Sequence, residues 1–282
     1  MARKKLVILH GEKGGLGKSL TARLLVSYLH MVPGLTVAAG AVSVFDADGG
    51  GKGAQLTRTL PGTTAVDLTD PLSSAAVLDT LMSAPDPSVA VLDLGARQHR
   101  ELREWLYAAD AGALVQEGLL EITVVWLVGG TIDSVSMLSD SLDDFAEVAL
   151  VVARNRFFGT EFPAFDGAEM LQTRLRERNV PVVDLPVLAP RIAQLIDGVA
   201  APLHEITLPV EVGGRRFDQV GFTVQRVLGT WMGDAFSQLA VPAVAPLLAP
   251  DAVAAAPAAD DAAAGQAGAV SADPLAGLPR AS

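Results

Sequence analysis

The chain has no cysteine, and this one absence removes disulfides, thiol nucleophiles and thiolate metal sites together. Histidine is nearly as scarce: four are scattered without a close pair, which gives no support to a zinc site. Cations are also short. Lys and Arg number 21 against 32 Asp and Glu, a net charge of −11, and a surface uniformly coated for phosphate backbones is excluded, though a local basic patch is not. No stretch reaches the ~18 uninterrupted apolar residues of a membrane span. The basic start Arg3-Lys4-Lys5 is followed by an apolar run too short for a signal peptide, so a cytoplasmic protein is expected.

What is present is an alternation. Short apolar runs at Leu6–His10, Val42–Phe45, Val89–Leu94, Ile122–Val128, Val148–Ala153 and Val180–Leu185 read as buried strands. Between them, Ser19–His30, Ser73–Ser83, Gln98–Ala109, Asp133–Phe145 and Gly167–Asn179 carry helical spacing. Strand and helix in turn predict an α/β fold, a doubly wound and mostly parallel sheet with helices on both faces. Ligands of such sheets sit at the carboxyl ends of the strands. A further amphipathic helix is expected over Asp218–Leu239, with Val220, Val224, Val227, Trp231 and Ala235 on one side. From about Val241, Ala and Pro dominate and aromatics vanish, so residues 1–240 read as one domain and 241–282 as a disordered Ala/Pro-rich tail.

The first strand runs into Gly11-Glu12-Lys13-Gly14-Gly15-Leu16-Gly17-Lys18-Ser19 and then a helix. Glycines let the backbone turn several N–H groups towards a polyphosphate, and the start of the helix adds its positive end. In such a loop Lys18 reaches the β- and γ-phosphates and the Ser19 hydroxyl ligates Mg²⁺. The strict Gly-x₄-Gly-Lys-Ser pattern fails, because Glu12 stands at its first glycine.

What fits completely is Lys-Gly-Gly-x-Gly-Lys-Ser, and here the chain resembles the ParA/MinD family of deviant-Walker ATPases. The resemblance spans roughly residues 4–200. It implies an ATP-dependent homodimer in which the extra lysine, Lys13, crosses to the partner's phosphates, and a second ammonium there rewards dimerisation when ATP is bound. It also implies that Gly14, Gly15, Gly17, Lys18, Ser19 and the following Leu20 contact the nucleotide.

Val44-Phe45-Asp46-Ala47-Asp48 followed by Gly49–Gly53 resembles the family's Asp-x-Asp switch. The match places Asp46 near the Mg²⁺ shell and makes Asp48 the residue that orients the attacking water; taken alone, Asp-Ala-Asp-Gly is also an ordinary turn. Val89–Asp93 ends in an acid, as a Walker B strand does, so Asp93 would hold a Mg²⁺-bound water. The family follows that acid with a proline-rich turn, where this chain has Leu94-Gly95-Ala96. Asn155, ending Val151–Asn155, resembles the residue that reads the adenine edge. Leu185-Pro186-Val187-Leu188-Ala189-Pro190-Arg191-Ile192-Ala193 resembles the loop packing on the base, with Pro186 as a contact.

The resemblance implies a ParA-like ATPase that binds Mg·ATP, dimerises, hydrolyses slowly, and partitions or positions a cargo such as plasmid DNA with the help of a DNA-binding or cargo adaptor. Basic candidates for DNA are Arg154, Arg156, Arg174, Arg176, Arg178, Arg215 and Arg216, although Arg174 and Arg178 equally make a solvated helix face. The alternative is a nucleotide-gated adaptor in conjugation, secretion or envelope assembly, which the acidic balance favours. A small-molecule kinase lacks a visible acceptor site. Iron-protein-like branches need cysteines, and a membrane-targeting end would need a basic amphipathic helix that the tail does not have.

Overall fold

The computed structural model describes residues 4–11, 13–48, 55–159, 161–212, 215–218 and 220–250. Its first half runs β1 (Lys4–His10), α1 (Lys18–His30), β2 (Val42–Asp46), α2 (Gln55–Thr59), β3 (Thr64–Ala65), α3 (Pro71–Ser83), β4 (Val89–Asp93), α4 (His99–Ala108) and α5 (Ala111–Gln116). The second half adds β5 (Leu120–Val128), α6 (Ile132–Ser141), β6 (Ala149–Asn155), α7 (Pro163–Asp166), α8 (Glu169–Glu177) and β7 (Val182–Leu185). Then come α9 (Pro190–Asp197), α10 (Leu203–Ile206), the antiparallel pair β8 (Pro209–Val212) and β9 (Arg215–Asp218), α11 (Phe222–Leu239) and α12 (Ala245–Leu248).

Seven strands form one parallel sheet in the order β3-β2-β4-β1-β5-β6-β7. Handedness then decides which helix covers which face. A right-handed crossover that moves along the sheet in one direction lies on one face, and a crossover in the opposite direction lies on the other. The chain moves from β1 to β2 and β3 in one direction, so α1 and α2 share a face, which the returning α9 to α12 complete. It moves from β3 to β4 and onward to β7 in the other direction, which puts α3 to α8 on the opposite face. Alternation along β1 follows: Val7 and Leu9 join the first layer, Leu6 and Ile8 the second. Both faces are covered, as the near-continuous apolar strands require. Lys4 and Lys5 open β1 as buried side chains, paired with Asp86 and Glu121 respectively.

Three expectations need correction. The helix expected over Asp133–Phe145 stops at Ser141 and gives way to a 3₁₀ turn, Leu142–Phe145. Ser139-Asp140-Ser141 are weak helix formers whose side chains compete for backbone groups, and Arg178 donates to the released carbonyls of Leu142 and Phe145. The helix expected from Asp218 begins at Phe222, because Asp218 pairs with Pro209 in the β8–β9 hairpin. Trp231 and Ala235 are buried as expected, but Val227 is exposed, and Leu228, Met232 and Leu239 complete the inner face. Packed chain also continues past the composition change at Val241: Val244, Leu248 and Ala249 are buried, and the Thr123 hydroxyl donates to Leu247 O (2.7 Å). The rest of the expected tail, 251–282, lies outside the described residues. No helix among the described residues is long and apolar enough to cross a membrane.

Candidate nucleotide-binding site

The glycine loop leaves the carboxyl end of β1, the central strand, at the crevice where crossovers diverge to the two faces. Two of its glycines are obligatory for different reasons. Gly15 has φ +77°, a left-handed conformation that costs other residues energy. Gly17 has φ +84°, and a Cβ there would also come within 2.6 Å of Asn155 Nδ2. Gly17 caps α1 and offers no side-chain acceptor of its own to the first N–H groups of that helix.

Gly14, Gly15, Gly17, Lys18, Ser19, Leu20, Asp48 and Asn155 line one cleft, as the sequence anticipates. Lys18 is buried, and its ammonium donates to Gly11 O (2.9 Å) and Lys13 O (3.4 Å), which holds it inside the loop. Lys13 is different. Its side chain is 44% exposed and reaches away from the cleft towards the start of α6, 3.4 Å from Thr131 Oγ1 and 4.0 Å from Asp133.

Beneath the loop, Asp46 and Asp93 end the paired strands β2 and β4 in register with each other. Both are buried. They are used differently. The Asp46 carboxylate accepts from Asp48 N (3.1 Å), Thr57 N (2.9 Å) and Thr57 Oγ1 (2.9 Å), so it closes the two ends of the segment between β2 and α2. Neither oxygen of Asp93 has a hydrogen-bond partner among the described residues. Burial pushes its carboxyl up to about 7; the nearby Ser19 hydroxyl and Lys18 oppose the rise, and the charges of Asp46 and Asp48 add to it. Ser19 thus lies close enough to favour the charged form without meeting hydrogen-bond geometry.

An orphaned carboxylate beside a hydroxyl and a second carboxylate fits a divalent cation, which would satisfy the bare oxygens and relieve the repulsion. Among the described residues no group of three His, Asp or Glu could hold a metal unaided. That suits Mg²⁺, which takes one or two protein oxygens and completes its shell from phosphates and water. Ser19 and Asp93 are the residues placed to hold it. Asp46 stands in register beside Asp93 and also anchors Thr57.

Two further expectations meet a different geometry. The Asn155 amide is engaged by backbone: Nδ2 donates to Leu16 O (2.7 Å) and Oδ1 accepts from Phe157 N (3.1 Å). It therefore braces the glycine loop from β6, with one N–H and one lone pair of the amide beyond these two bonds. Pro186 does not line the cleft; its carbonyl accepts from Trp231 Nε1 (2.9 Å), which fastens α11 to the end of β7. The far wall is built from Phe157, Ala193, Asp197 and Gln55; Ala193 ends the Leu185–Ala193 segment that resembles the base-packing loop, and no motif marked the other three. Gln55 Nε2 donates to Asp197 (3.0 Å), joining α2 to the end of α9.

Three more residues escaped the sequence reading. Gln98, at the start of α4, bridges the ends of β2 and β4: its Oε1 accepts from Gly95 N (2.6 Å) and its Nε2 donates to Ala47 O (2.7 Å). His10, the last residue of β1, stacks on Trp126 (4.2 Å) and contacts His99 (3.1 Å), which contacts Asp144 (2.8 Å). Burial, then the neighbouring His99 and Lys18, holds the His10 pKa well below its usual value. Nothing in the local pattern of these residues separates them from helix-start and core positions.

The arginines considered for DNA are largely occupied. Arg154 forks onto Asp184 (2.7 and 2.8 Å) and reaches Asp166 (3.1 Å), and Arg156 shares Asp184 (2.7 Å). Arg174 bonds Asp143 and Ser139 O, and Arg178 fills the carbonyls after α6. Arg176 bonds Thr173 Oγ1 (3.1 Å) on its own helix. Arg215 and Arg216 lie on β9.

A parallel sheet with a lysine-bearing glycine loop at the end of its central strand and an acid ending the neighbouring strand defines the P-loop NTPase fold, ParA-like in the second lysine of the loop. No family model matches the chain. Protein MobD of Acidithiobacillus ferrooxidans is 24% identical over 215 residues, covering 75% of this chain and 90% of MobD. Chloroplast FtsY from Physcomitrella patens is 18% identical with a TM-score of 0.41, over 81% of this chain and 66% of that one, so this chain spans about two thirds of the FtsY length. Cyanothece McdA, solved as an ATP complex, is 13% identical with a TM-score of 0.40, over 83% of this chain and 97% of that one. At these identities the assignment of the fold rests on the chain's own strand order and loop.

Proposed function

We propose that this chain is a ParA-like, Mg²⁺-dependent ATPase whose nucleotide cycle gates the association of two copies. The carrying observation is the buried Asp93 carboxylate, without a hydrogen-bond partner among the described residues, under the loop of Lys18 and Ser19, an arrangement that a cation and a polyphosphate would complete. ATP, in preference to GTP, follows from the loop's resemblance to the ParA/MinD family. The N–H groups at the start of α1 and Lys18 would bind the phosphates, and the ammonium would exchange loop carbonyls for phosphate oxygens. Bound Mg²⁺ supplies charge neutralisation at the transferred phosphoryl group. Asp48, at the cleft edge, orients the attacking water.

Lys13 supports gated association because it is exposed, turned away from its own cleft, and, among the described residues, meets Thr131 and Asp133 at long distance. In light scattering the wild-type chain should double in mass with Mg·ATP and not with Mg·ADP. Lys13→Ala should bind ATP with near-normal affinity and stay monomeric. An ATP-dependent dimer in Lys13→Ala would sink the role given to this lysine.

The occupied arginines favour the adaptor reading, in which the ATP state presents a surface to a protein partner, over direct DNA binding. DNA binding, as a phosphate-backbone contact, would show as salt-dependent retention of DNA by the ATP-bound protein.

A further inference from the structure

The Gln98 side-chain amide bonds both the end of β2 and the turn after β4. These are the two segments that bear Asp48 and Asp93. Beyond the β2–β4 ladder, Ala47 N donates to Asp93 O (2.8 Å). Gln98 adds two side-chain links, through Ala47 O and Gly95 N.

Space at this junction is exhausted. A Cβ at Gly95 would come within 2.6 Å of Asp48 Oδ1 and 3.1 Å of the Gln98 amide, so the Asp48 carboxylate rests directly on the Gly95 backbone. This accounts for Leu94-Gly95-Ala96 in place of a proline-rich turn. A proline at Gly95 would lose the N–H that Gln98 accepts and fill the room Asp48 occupies. The intervening Arg97 has φ +64°, a left-handed conformation that a non-glycine residue keeps only where its surroundings over-determine it. Nor is the amide on a loose end: His99, the next residue, is tied to His10 at the root of the glycine loop and to Asp144.

We infer that Gln98 is a positioning residue for hydrolysis, a clamp that fixes the Asp48 carboxylate at the cleft edge by joining the β2 end to the β4 turn. The inference rests on the proposed role of Asp48. Gln98 touches no reacting atom; it acts through Asp48, so its loss should fall on turnover and spare nucleotide binding.

The test measures phosphate release, affinity for a fluorescent ATP analogue and melting temperature on the full chain. Gln98→Ala should lower kcat about ten- to a hundredfold, as a misplacement of about 1 Å does, and leave the affinity within about threefold. Gln98→Glu keeps the acceptor for Gly95 N–H but loses the donor to Ala47 O, and should fall between. Gly95→Ala should reproduce the defect by displacing Asp48 and Gln98. The pair Gln98→Ala/Gly95→Ala should lose no more than about twofold beyond the worse single variant, since both break one linkage. Wild-type kcat in Gln98→Ala, multiplicative losses in the pair, or kcat, affinity and melting temperature falling together would each overturn the clamp. Asp48→Ala, measured alongside, separates the two levels. An inactive Asp48→Ala beside a normal Gln98→Ala removes the clamp alone, whereas a fully active Asp48→Ala removes the role of Asp48 and the clamp with it.

Discussion

Asp93 ends β4 with both carboxylate oxygens bare and its pKa pushed up to about 7, so the nucleotide-free protein holds a poorly tolerated charge. The sign follows directly. An acid whose folded pKa exceeds its unfolded value binds the extra proton in the folded state, so the burden of ionising it grows from about pH 4 to pH 7 and is complete above that. Asp93→Asn should therefore raise the melting temperature of the nucleotide-free protein at pH 8, by roughly 2–4 °C for each kcal/mol relieved, and abolish the added stability that Mg²⁺ with ATP confers. A variant that melts lower at pH 8 while keeping its Mg²⁺ response would contradict this account. At this scale the loop residues were legible, because the backbone chemistry of phosphate binding demands Gly and Lys at set positions. The uses of Asp46, Asn155 and Pro186 were not. Each side chain or carbonyl is claimed by a partner distant in sequence (Thr57, Leu16 and Trp231 respectively), which no local pattern announces.

Among the elements, α9 shows how a helix whose far end no motif marked comes to wall the cleft. Arg23, on α1 and 1% exposed, donates to the carbonyls of Ile196 (3.2 Å), Val199 (3.1 Å) and Ala201 (2.8 Å) at the end of α9 and pairs with Asp197 (3.6 Å). Burial pulls its pKa down to about 10, with Asp197 opposing. Arg23→Met would leave three carbonyls and one carboxylate without their cation. Unfolding free energy should drop by about 2–4 kcal/mol, with ATP affinity falling as Asp197 and Ala193 shift. Chemical denaturation checks the first and the fluorescent ATP analogue the second; an unchanged midpoint would remove the brace from the account. Apolar strands and long helices were read within a few residues, since their periodicity records the core directly. The break after Ser141, the β8–β9 hairpin and α12 were missed. The first depends on Arg178, and α12 is an Ala-Pro-Leu-Leu segment whose burial comes from the sheet beneath it.

For the whole molecule, pH acts through buried groups of opposite sign. His204 is lowered to about 4 by burial and then by His30, on which it stacks (4.1 Å). Its unfolded form titrates near the ordinary histidine value, so its neutral state gives full stability above about pH 6.5, lost as pH falls towards 4. Asp93 works the other way over part of that window, so the informative quantity is a difference: His204→Gln should melt with a shallower acid fall than wild type between pH 7 and 5. Parallel curves would contradict the assignment.

On this same scale the proposed nucleotide switch sits at one end of the sheet. Its cleft, its bare acid and its outward lysine all lie at the carboxyl ends of the strands, and the two halves of the sheet meet at β1 beneath them. Hydrolysis is the property that this arrangement should produce and that a passive nucleotide binder should lack. The most direct measurement is phosphate release from Mg·ATP with water as the sole acceptor, for the wild-type chain, Lys18→Ala and Asp48→Ala. Slow, Mg²⁺-dependent release in the wild type that disappears in both variants is the predicted result. No release from the wild type, or equal release from all three, would contradict the account.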